Sequence, residues 1–140
     1  MPGHTTAMWV MPHWTDDFER SGRHLEAAVR SVVDQTDSDW ELVIVDDASA
    51  DPAAVTYLRT LAEQWRRRVH VIFEPRNRGA GVARNVGVRW AAERSAPFVL
   101  FLDADDMSRP GRLAVVRSAF ADATGPGVVY STFEVVDDDD

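Results

Sequence analysis

Four short, mostly apolar runs divide the chain. They lie at 7–12, 40–47, 69–73 and 97–103, and polar residues are rare within them. Runs of this length without regular polar alternation are typical of strands that are buried on both faces of a sheet. A further run at 127–136 has the same character. The pattern therefore predicts four strands and a fifth near the end of the chain.

Between the strands, apolar residues recur at the spacing of one face of a helix, i, i+3, i+4 and i+7. Two of the predicted helices follow the first and second strands, a third runs over 81–93, and a fourth begins near Pro110. The positions predicted to face inward are Leu25, Ala28, Val29, Val32 and Val33, then Val55, Leu58, Ala62 and Trp65, then Val82, Val86 and Trp90, and finally Leu113, Val116 and Phe120. Strands that alternate with helices predict an α/β, Rossmann-like fold, with a mostly parallel sheet and helices on both faces.

Composition narrows the class of protein. The chain has 140 residues, of which 45% are hydrophobic, and this suffices for one domain with a buried core. There is no cysteine, which excludes disulfides and thiolate metal sites, and no apolar stretch reaches the length of a membrane span. We therefore predict a cytoplasmic location, with attachment to the inner face of a membrane left to regions outside this chain.

The charge of the chain bears on its partners. The formal net charge is −8, and part of it comes from the acidic run at 137–140. An acidic chain is a poor partner for a nucleic acid polymer, but it can bind a phosphorylated ligand through a divalent cation. The run at 137–140 is either a solvated tail or the point at which a longer chain was cut, so we assign the domain to residues 1–136.

Two clusters of aspartates follow strands of the predicted sheet. They are Asp46 and Asp47 after the second strand, and Asp103, Asp105 and Asp106 after the fourth. Ligands of open parallel sheets collect at the carboxyl ends of the strands, where these clusters lie. Hard carboxylate oxygens suit Mg²⁺ or Mn²⁺, which accept diphosphate oxygens as further ligands. The clusters therefore predict a metal-assisted site for a phosphorylated ligand.

A structural explanation competes with this one. Aspartates after strands are common helix caps and turn residues, and Ser49, Asp51 or Ser108 could serve as caps here. For a single aspartate, capping is the better explanation. Capping needs one side chain, however, and not two or three crowded like charges in each of two clusters.

Three segments of the chain resemble glycosyltransferase family 2, whose members have the GT-A fold of nucleotide-diphospho-sugar transferases. SVVDQTDSDWELVIVDDASAD at 31–51 is similar to the family's S-V-x-x-Q-T, apolar strand and D-D-x-S-x-D. NRGAGVARNVGVRWA at 77–91 looks like N-x-G-x-x-x-A-R-N-x-G, and FVLFLDADDMSRPGRL at 98–113 looks like the strand with its D-x-D signature. The resemblance spans nearly the whole chain and implies the donor-binding half of a GT-A domain.

The resemblance implies distinct roles for the aspartates. Asp47 would accept a hydrogen bond from the base, usually uracil in this family, while Asp46 supports the turn. Asp103 would lie near the ribose. Asp105 would contact the metal, Mg²⁺ or Mn²⁺, that bridges the diphosphate. A buried acceptor suits the N–H of a pyrimidine, and an exposed D-A-D turn suits a solvated metal ion.

Further residues follow from the same resemblance. Arg84 corresponds to the arginine of A-R-N, a candidate partner of the base or the phosphates, although a salt bridge to Glu93 or to an aspartate on the helix surface is an equal alternative. Asn85 is predicted to lie near the D-A-D turn. Gly79 and Gly81 either let the chain pass close to a ligand or simply form a loop and a helix start.

The chain departs from the family where the first strand ends. The family pattern is P-x-Y-N, whereas this chain has Pro12, His13, Trp14 and Thr15. The resemblance implies that Pro12 and Trp14 contribute to donor binding: Trp14 would replace the tyrosine that packs on the base, and His13 could donate a hydrogen bond to the base. Without the resemblance, Trp14 is better explained as a partly buried aromatic residue at a strand end.

The resemblance implies an inverting glycosyltransferase that uses a metal and a UDP-sugar, with an unknown glycan, lipid or small-molecule acceptor. No residue of the chain has the expected context of the general base, so we assign none. A nucleotidyltransferase would need a G-x-G-T-R-type loop after the first strand, and a phosphoacceptor receiver domain would need a lysine; the chain has neither. A non-catalytic module that binds a nucleotide or a partner protein stays open.

Overall fold

Strands and helices alternate strictly along the chain. The computed structural model describes residues 6–122, 124 and 127–137. In chain order the elements are β1 Ala7–His13, α1 Phe18–Val33, β2 Trp40–Asp46, α2 Pro52–Gln64, β3 Val69–Phe73, α3 Ala80–Glu93, β4 Val99–Phe101 and α4 Arg112–Asp122. The strands form one parallel sheet in the order β3-β2-β1-β4. The predicted α/β fold is confirmed.

The sheet is covered by helices on both faces. Alternate residues of β1 point to opposite sides, so Trp9 and Met11 join the larger core cluster with α1, α2 and α4. Met8 and Val10 pack against α3 in a smaller cluster. β1 and β2 are buried along nearly their whole length because each has a strand on both sides and helices above and below.

α3 approaches the sheet through small residues. A Cβ atom added to Gly87 would lie 2.4 Å from Cγ1 of Val10, which is closer than any real contact. The fully buried positions of α3 are Ala83, Gly87 and Ala91. The predicted inward residues Val82, Val86 and Trp90 are only partly buried and flank that line. The prediction was wrong by one helical position because it favoured large side chains, whereas close backbone packing selects small ones.

The inward face of α2 is displaced in the same way. Its buried residues are Ala54, Leu58 and Leu61, whereas Val55, Ala62 and Trp65 are half-buried at the sides of the contact. α1 buries Leu25, Ala28, Val29 and Val32 as predicted, and Leu113 is the buried anchor of α4. α4 begins at Arg112, close to Pro110 as predicted, and the carbonyl of Pro110 accepts a hydrogen bond from Thr36 N outside the helix.

Three strand predictions need correction. β3 and β4 are not buried on both faces, because they are the edge strands and have one neighbour each. β4 has only three residues, and Phe101 in it is 45% exposed. The predicted fifth strand at 127–136 is not formed. Its large residues, including Tyr130 and Phe133, are exposed, and no described strand pairs with them. Residues 138–140 of the acidic run lie outside the described part of the chain.

Candidate functional site

A cleft of about 340 Å³ opens at the carboxyl ends of β1, β2 and β4. Six of the seven residues predicted from the sequence to bind donor or metal line it: Pro12, Trp14, Asp47, Arg84, Asp103 and Asp105. The seventh, Asp46, is buried beside it. A second, shallower cavity of about 380 Å³ lies at the β3 edge, away from both aspartate clusters, and we therefore consider the first cleft as the site.

Asp46 is the centre of a buried hydrogen-bond network. Its Oδ1 accepts from His13 Nδ1 at 2.8 Å and from Ser49 Oγ at 2.6 Å, and its Oδ2 accepts from Ser49 N at 3.0 Å. Burial alone would raise the pKa of Asp46, but the hydrogen bonds from His13 and Ser49 outweigh it and hold the pKa below its ordinary value. Asp46 is therefore ionised, so His13 is the donor of their hydrogen bond and its Nδ1 carries the proton.

The same network joins the loops that follow β1 and β2. Thr15 N donates to Ser49 Oγ at 3.0 Å, and Ala50 N donates to the carbonyl of Thr15 at 2.9 Å. Ala48 has a φ of 59°, a left-handed conformation that is uncommon for a residue with a Cβ atom and that these bonds maintain. Trp14 lies between His13 and Thr15, which both take part in this network, and its side chain is 47% exposed. The network thus presents an aromatic face at the wall of the cleft.

Asp47 is buried and ties the next loop to the sheet. Its carboxylate accepts from Arg78 N at 2.9 Å and from Gly79 N at 2.7 Å, one bond to each oxygen. Gly79 has a φ of 94°, which favours glycine, and it begins α3. Each carboxylate oxygen can accept two hydrogen bonds, so Asp47 keeps acceptor capacity toward the cleft.

Arg84 forms an ion pair across the cleft. Its Nη2 lies 2.6 Å from Asp103 Oδ1, which joins α3 to the loop after β4. The sequence left open a salt bridge of Arg84 to Glu93 or to an aspartate, and the partner in this ion pair is an aspartate, Asp103. Asn85 is exposed and does not line the cleft, and its position near the D-A-D turn stays a prediction. Successive helix positions point in different directions, and Arg84 occupies the one that faces the site.

Three carboxylates converge at the open end of the cleft. Asp103, Asp105 and Asp106 each offer an oxygen, and these atoms lie within 4.8 Å of one another. Burial and the neighbouring charges of Asp105 and Asp103 raise the pKa of Asp106 above its ordinary value. A divalent cation would relieve this repulsion, and carboxylate oxygens at this spacing fit Mg²⁺ or Mn²⁺.

Helix capping is performed by other aspartates. Asp51 accepts from Ala53 N at 2.9 Å and caps α2, as the sequence suggested, and it also accepts from Phe18 N. Asp17 caps α1. Ser49 serves the Asp46 network and caps no helix. The hydrogen bonds of Asp46 and Asp47 give the first cluster a structural role in the loops, whereas capping leaves the second cluster, Asp103, Asp105 and Asp106, unexplained.

The sequence reasoning missed one wall of the cleft. Ser21, His24 and Leu25 of α1 line it together with the strand ends. Their spacing of three and four residues places them on one helical face, next to the end of β1. That spacing could have identified them, but nothing near them in the chain indicates that this face of α1 lies beside the strand ends.

Comparison with known proteins identifies the family. The profile described as glycosyl transferase family 2 matches residues 18–140, and the chain belongs to this family. It is similar to an uncharacterized glycosyltransferase of Nostoc sp. (strain PCC 7120), with 36% identity over 118 residues, 84% of this chain and 35% of that protein. The chain spans about a third of the length of the curated relatives that it matches.

Solved structures support the GT-A fold. S. aureus TarS, solved in complex with UDP, is similar with a TM-score of 0.65 and 25% identity, over 94% of this chain and 40% of that chain. A mannosyltransferase of Pyrobaculum calidifontis, PcManGT, was solved with GDP-Man and Mn²⁺. It is similar with a TM-score of 0.62 and 20% identity, over 84% of this chain and 32% of that chain. Among the described residues, no helix is both long and apolar enough to cross a membrane.

Proposed function

We propose that this chain binds the nucleotide-sugar donor of a metal-dependent glycosyltransferase. One observation carries the proposal: three carboxylates that fit a divalent cation converge at one end of a cleft whose wall carries an exposed tryptophan. A diphosphate can lie beside acidic residues when such a cation separates the negative charges, and a nucleobase packs on a flat apolar surface. Trp14, Asp103 and Asp105 line the same cleft of about 340 Å³, so we propose that one ligand contacts both ends.

The base end of the cleft would hold the nucleoside. Trp14 would pack on the base above Pro12, and Asp47 would accept the N–H of a uracil through its remaining lone pairs. Asp46 would not touch the ligand; it fixes the turn that carries Asp47 and the loop that carries Trp14. Uracil offers an N–H that a carboxylate can accept, and TarS, to which the chain is similar, was solved with UDP, so we propose a UDP-sugar as donor.

The acidic end would hold the diphosphate. Asp105, together with Asp103 and Asp106, would hold Mg²⁺ or Mn²⁺, which supplies positive charge to the diphosphate leaving group. Arg84 lies beside Asp103 and could turn to a phosphate oxygen, since its side chain is partly exposed. Asp103 is also the carboxylate nearest to Arg84, in a position suited to a ribose hydroxyl.

The reaction that we propose is transfer of the sugar with inversion to an acceptor hydroxyl. The chain offers the donor side of this reaction, and we assign no general base within it. The acceptor, the cytoplasmic location and the division into residues 1–136 and 137–140 stay predictions.

Isothermal titration calorimetry tests donor binding. UDP should bind the 140-residue chain in the presence of Mn²⁺, and the affinity should fall at least tenfold without metal or in Asp105→Ala. Glu63→Ala removes an exposed acid of α2 outside the cleft and is the matched control for lost charge. UDP affinity that is independent of both metal and Asp105 would overturn the proposal.

Binding alone would not separate an enzyme from a non-catalytic nucleotide-binding module. Release of UDP from UDP-sugars, followed with and without added acceptors, makes that distinction. If UDP binds in a metal-dependent way but no acceptor gives release of UDP from UDP-sugars, the chain is better described as a non-catalytic nucleotide-binding module.

A further inference from the structure

The end of α1 is fastened to the segment that follows the acidic cluster. We call this set of contacts the clasp. It joins Ser31, Gln35 and Thr36 on one side to Ser108, Arg109, Pro110 and Leu113 on the other. None of these residues lines the cleft. The second side of the clasp, at 108–113, nevertheless follows closely after Asp103, Asp105 and Asp106 in the chain.

Gln35 is the centre of the clasp. Its side chain is only 7% exposed, and its amide is fully used. Nε2 donates to Ser31 O and to Arg109 O, both at 2.9 Å, while Oε1 accepts from Leu113 N at 3.0 Å. Leu113 lies in the first turn of α4, where backbone N–H groups have no partner within the helix. Gln35 therefore acts as an N-terminal cap for a helix 78 residues further along the chain.

Two flanking bonds fix the segment on either side. Thr36 N donates to Pro110 O at 2.9 Å, and Ser108 N donates to Ser31 Oγ at 3.0 Å. The segment between β4 and α4 is thus held at its far end by α1, while its near end leaves the sheet at Phe101.

The acidic cluster needs such an anchor. Three carboxylates within 4.8 Å of one another repel, and a free loop would relieve the repulsion by spreading. The near end of the loop is held by the bond from Leu102 N to Val10 O at 3.2 Å and by the ion pair of Arg84 with Asp103. Asp106 N donates to Asp103 O at 3.1 Å within the loop, and the clasp holds the chain after Asp106, so the clasp limits how far Asp105 and Asp106 can move away from Asp103.

We propose that Gln35 is a positioning residue for the metal-binding loop, so that the affinity for a divalent cation depends on a buried amide outside the site. The proposal rests on the proposed function in one respect, namely that the acidic cluster holds the cation. Gln35 itself touches neither metal nor nucleotide. It acts by fixing residues 108–113, and through them Asp105 and Asp106.

The test compares Gln35→Met with the wild-type chain. Methionine has a similar length but neither donates nor accepts strongly, so Arg109 O and Leu113 N lose their partner. Binding of Mn²⁺ in the presence of UDP is measured by the electron paramagnetic resonance signal of free Mn²⁺. For each variant that folds, the measurement is made at a temperature well below its unfolding. We expect on the order of tenfold weaker Mn²⁺ binding, the fold-change that corresponds to roughly one buried hydrogen bond.

Two further variants separate positioning from general stability. Thr6→Val removes the hydrogen bond from Thr6 Oγ1 to Asp39 Oδ1 at 2.7 Å, outside the cleft, and should lower the melting temperature without changing Mn²⁺ affinity. Ser31→Ala removes the bond that Ser108 N donates to Ser31 Oγ, together with the bond that Ser31 Oγ donates to Ala28 O within α1, and should weaken Mn²⁺ binding by about threefold. It keeps the test decisive if Gln35→Met does not fold.

The outcomes distinguish the two proposals. If the wild-type chain does not bind Mn²⁺ with UDP, the proposed function fails and the role of Gln35 fails with it. If the wild-type chain binds and the clasp variants lose thermal stability but keep wild-type Mn²⁺ affinity, the clasp only stabilises the fold, and the inference is overturned while the proposed function stands.

Discussion

Substitution of Asp47 by asparagine should destabilise the whole fold, in addition to any effect on a ligand. Asp47 accepts backbone hydrogen bonds from Arg78 and Gly79 with separate oxygens. Asparagine has nearly the same shape but keeps only one oxygen. The backbone N–H of Arg78 or of Gly79 would then face the NH₂ group of the asparagine, which is also a donor. No water can take its place easily, because Asp47 is only 3% exposed.

The magnitude follows from the number and type of the bonds. A hydrogen bond to a charged group contributes roughly 1.5–3 kcal/mol, and an amide left without a buried partner costs about 1–3 kcal/mol. Asp47→Asn loses one such bond and weakens the other, which becomes neutral. We therefore expect the free energy of unfolding to fall by about 2 kcal/mol, which is a large part of the stability of a small domain.

Urea denaturation followed by tryptophan fluorescence measures this loss. With a slope near 2 kcal/mol/M for a domain of this size, the midpoint should move by about 1 M. Asp16→Asn makes the same chemical change at an exposed residue and should move it little. A change below about 0.5 kcal/mol for Asp47→Asn would refute the reasoning, because it would show that the loop at Gly79 does not depend on the carboxylate.

Two other predictions concern α3. Gly87→Ala should lower the free energy of unfolding by about 1–2 kcal/mol despite the better helix propensity of alanine, because its Cβ would meet Val10. In the control Gly81→Ala, no atom lies within 4 Å of the new Cβ, so the free energy of unfolding should stay the same or rise. Equal shifts of the melting temperature in the two variants would contradict the packing argument. Arg84→Gln should tighten binding of Mn²⁺ alone by roughly fivefold at low salt, because Asp103 loses its counter-charge, yet weaken UDP binding with Mn²⁺. Unchanged Mn²⁺ affinity in calorimetry would show that Arg84 does not compete with the cation.

The sequence was sufficient for the order of the elements and for most of the cleft. Apolar runs and helical spacing predicted all eight described elements, since each β strand and helix follows from local patterns. The aspartates after β2 and β4 meet because parallel strands that are neighbours of β1 end at the same edge. Connectivity alone was enough to bring them together.

Long-range contacts could not be predicted in the same way. Nothing near Gln35 in the chain indicates that its amide caps α4, and nothing near Gly87 indicates Val10. The half-exposed β4 and the unpaired segment at 127–137 depend on which neighbours a strand has, which an apolar run does not reveal. His24 was missed because helix side chains reach the cleft from outside the loops.

The two ends of the cleft differ in how firmly they are held. The end that we propose to bind the nucleoside rests on the interior strands β1 and β2, which pair over seven residues, and on buried bonds such as that of His13 to Asp46. The acidic end is held by β4, which pairs with β1 over three residues only, and by the clasp. Local opening of this sheet edge would therefore abolish the cation site and leave the nucleoside wall intact. Bound cation would in turn slow hydrogen exchange along β4 far more than along β2.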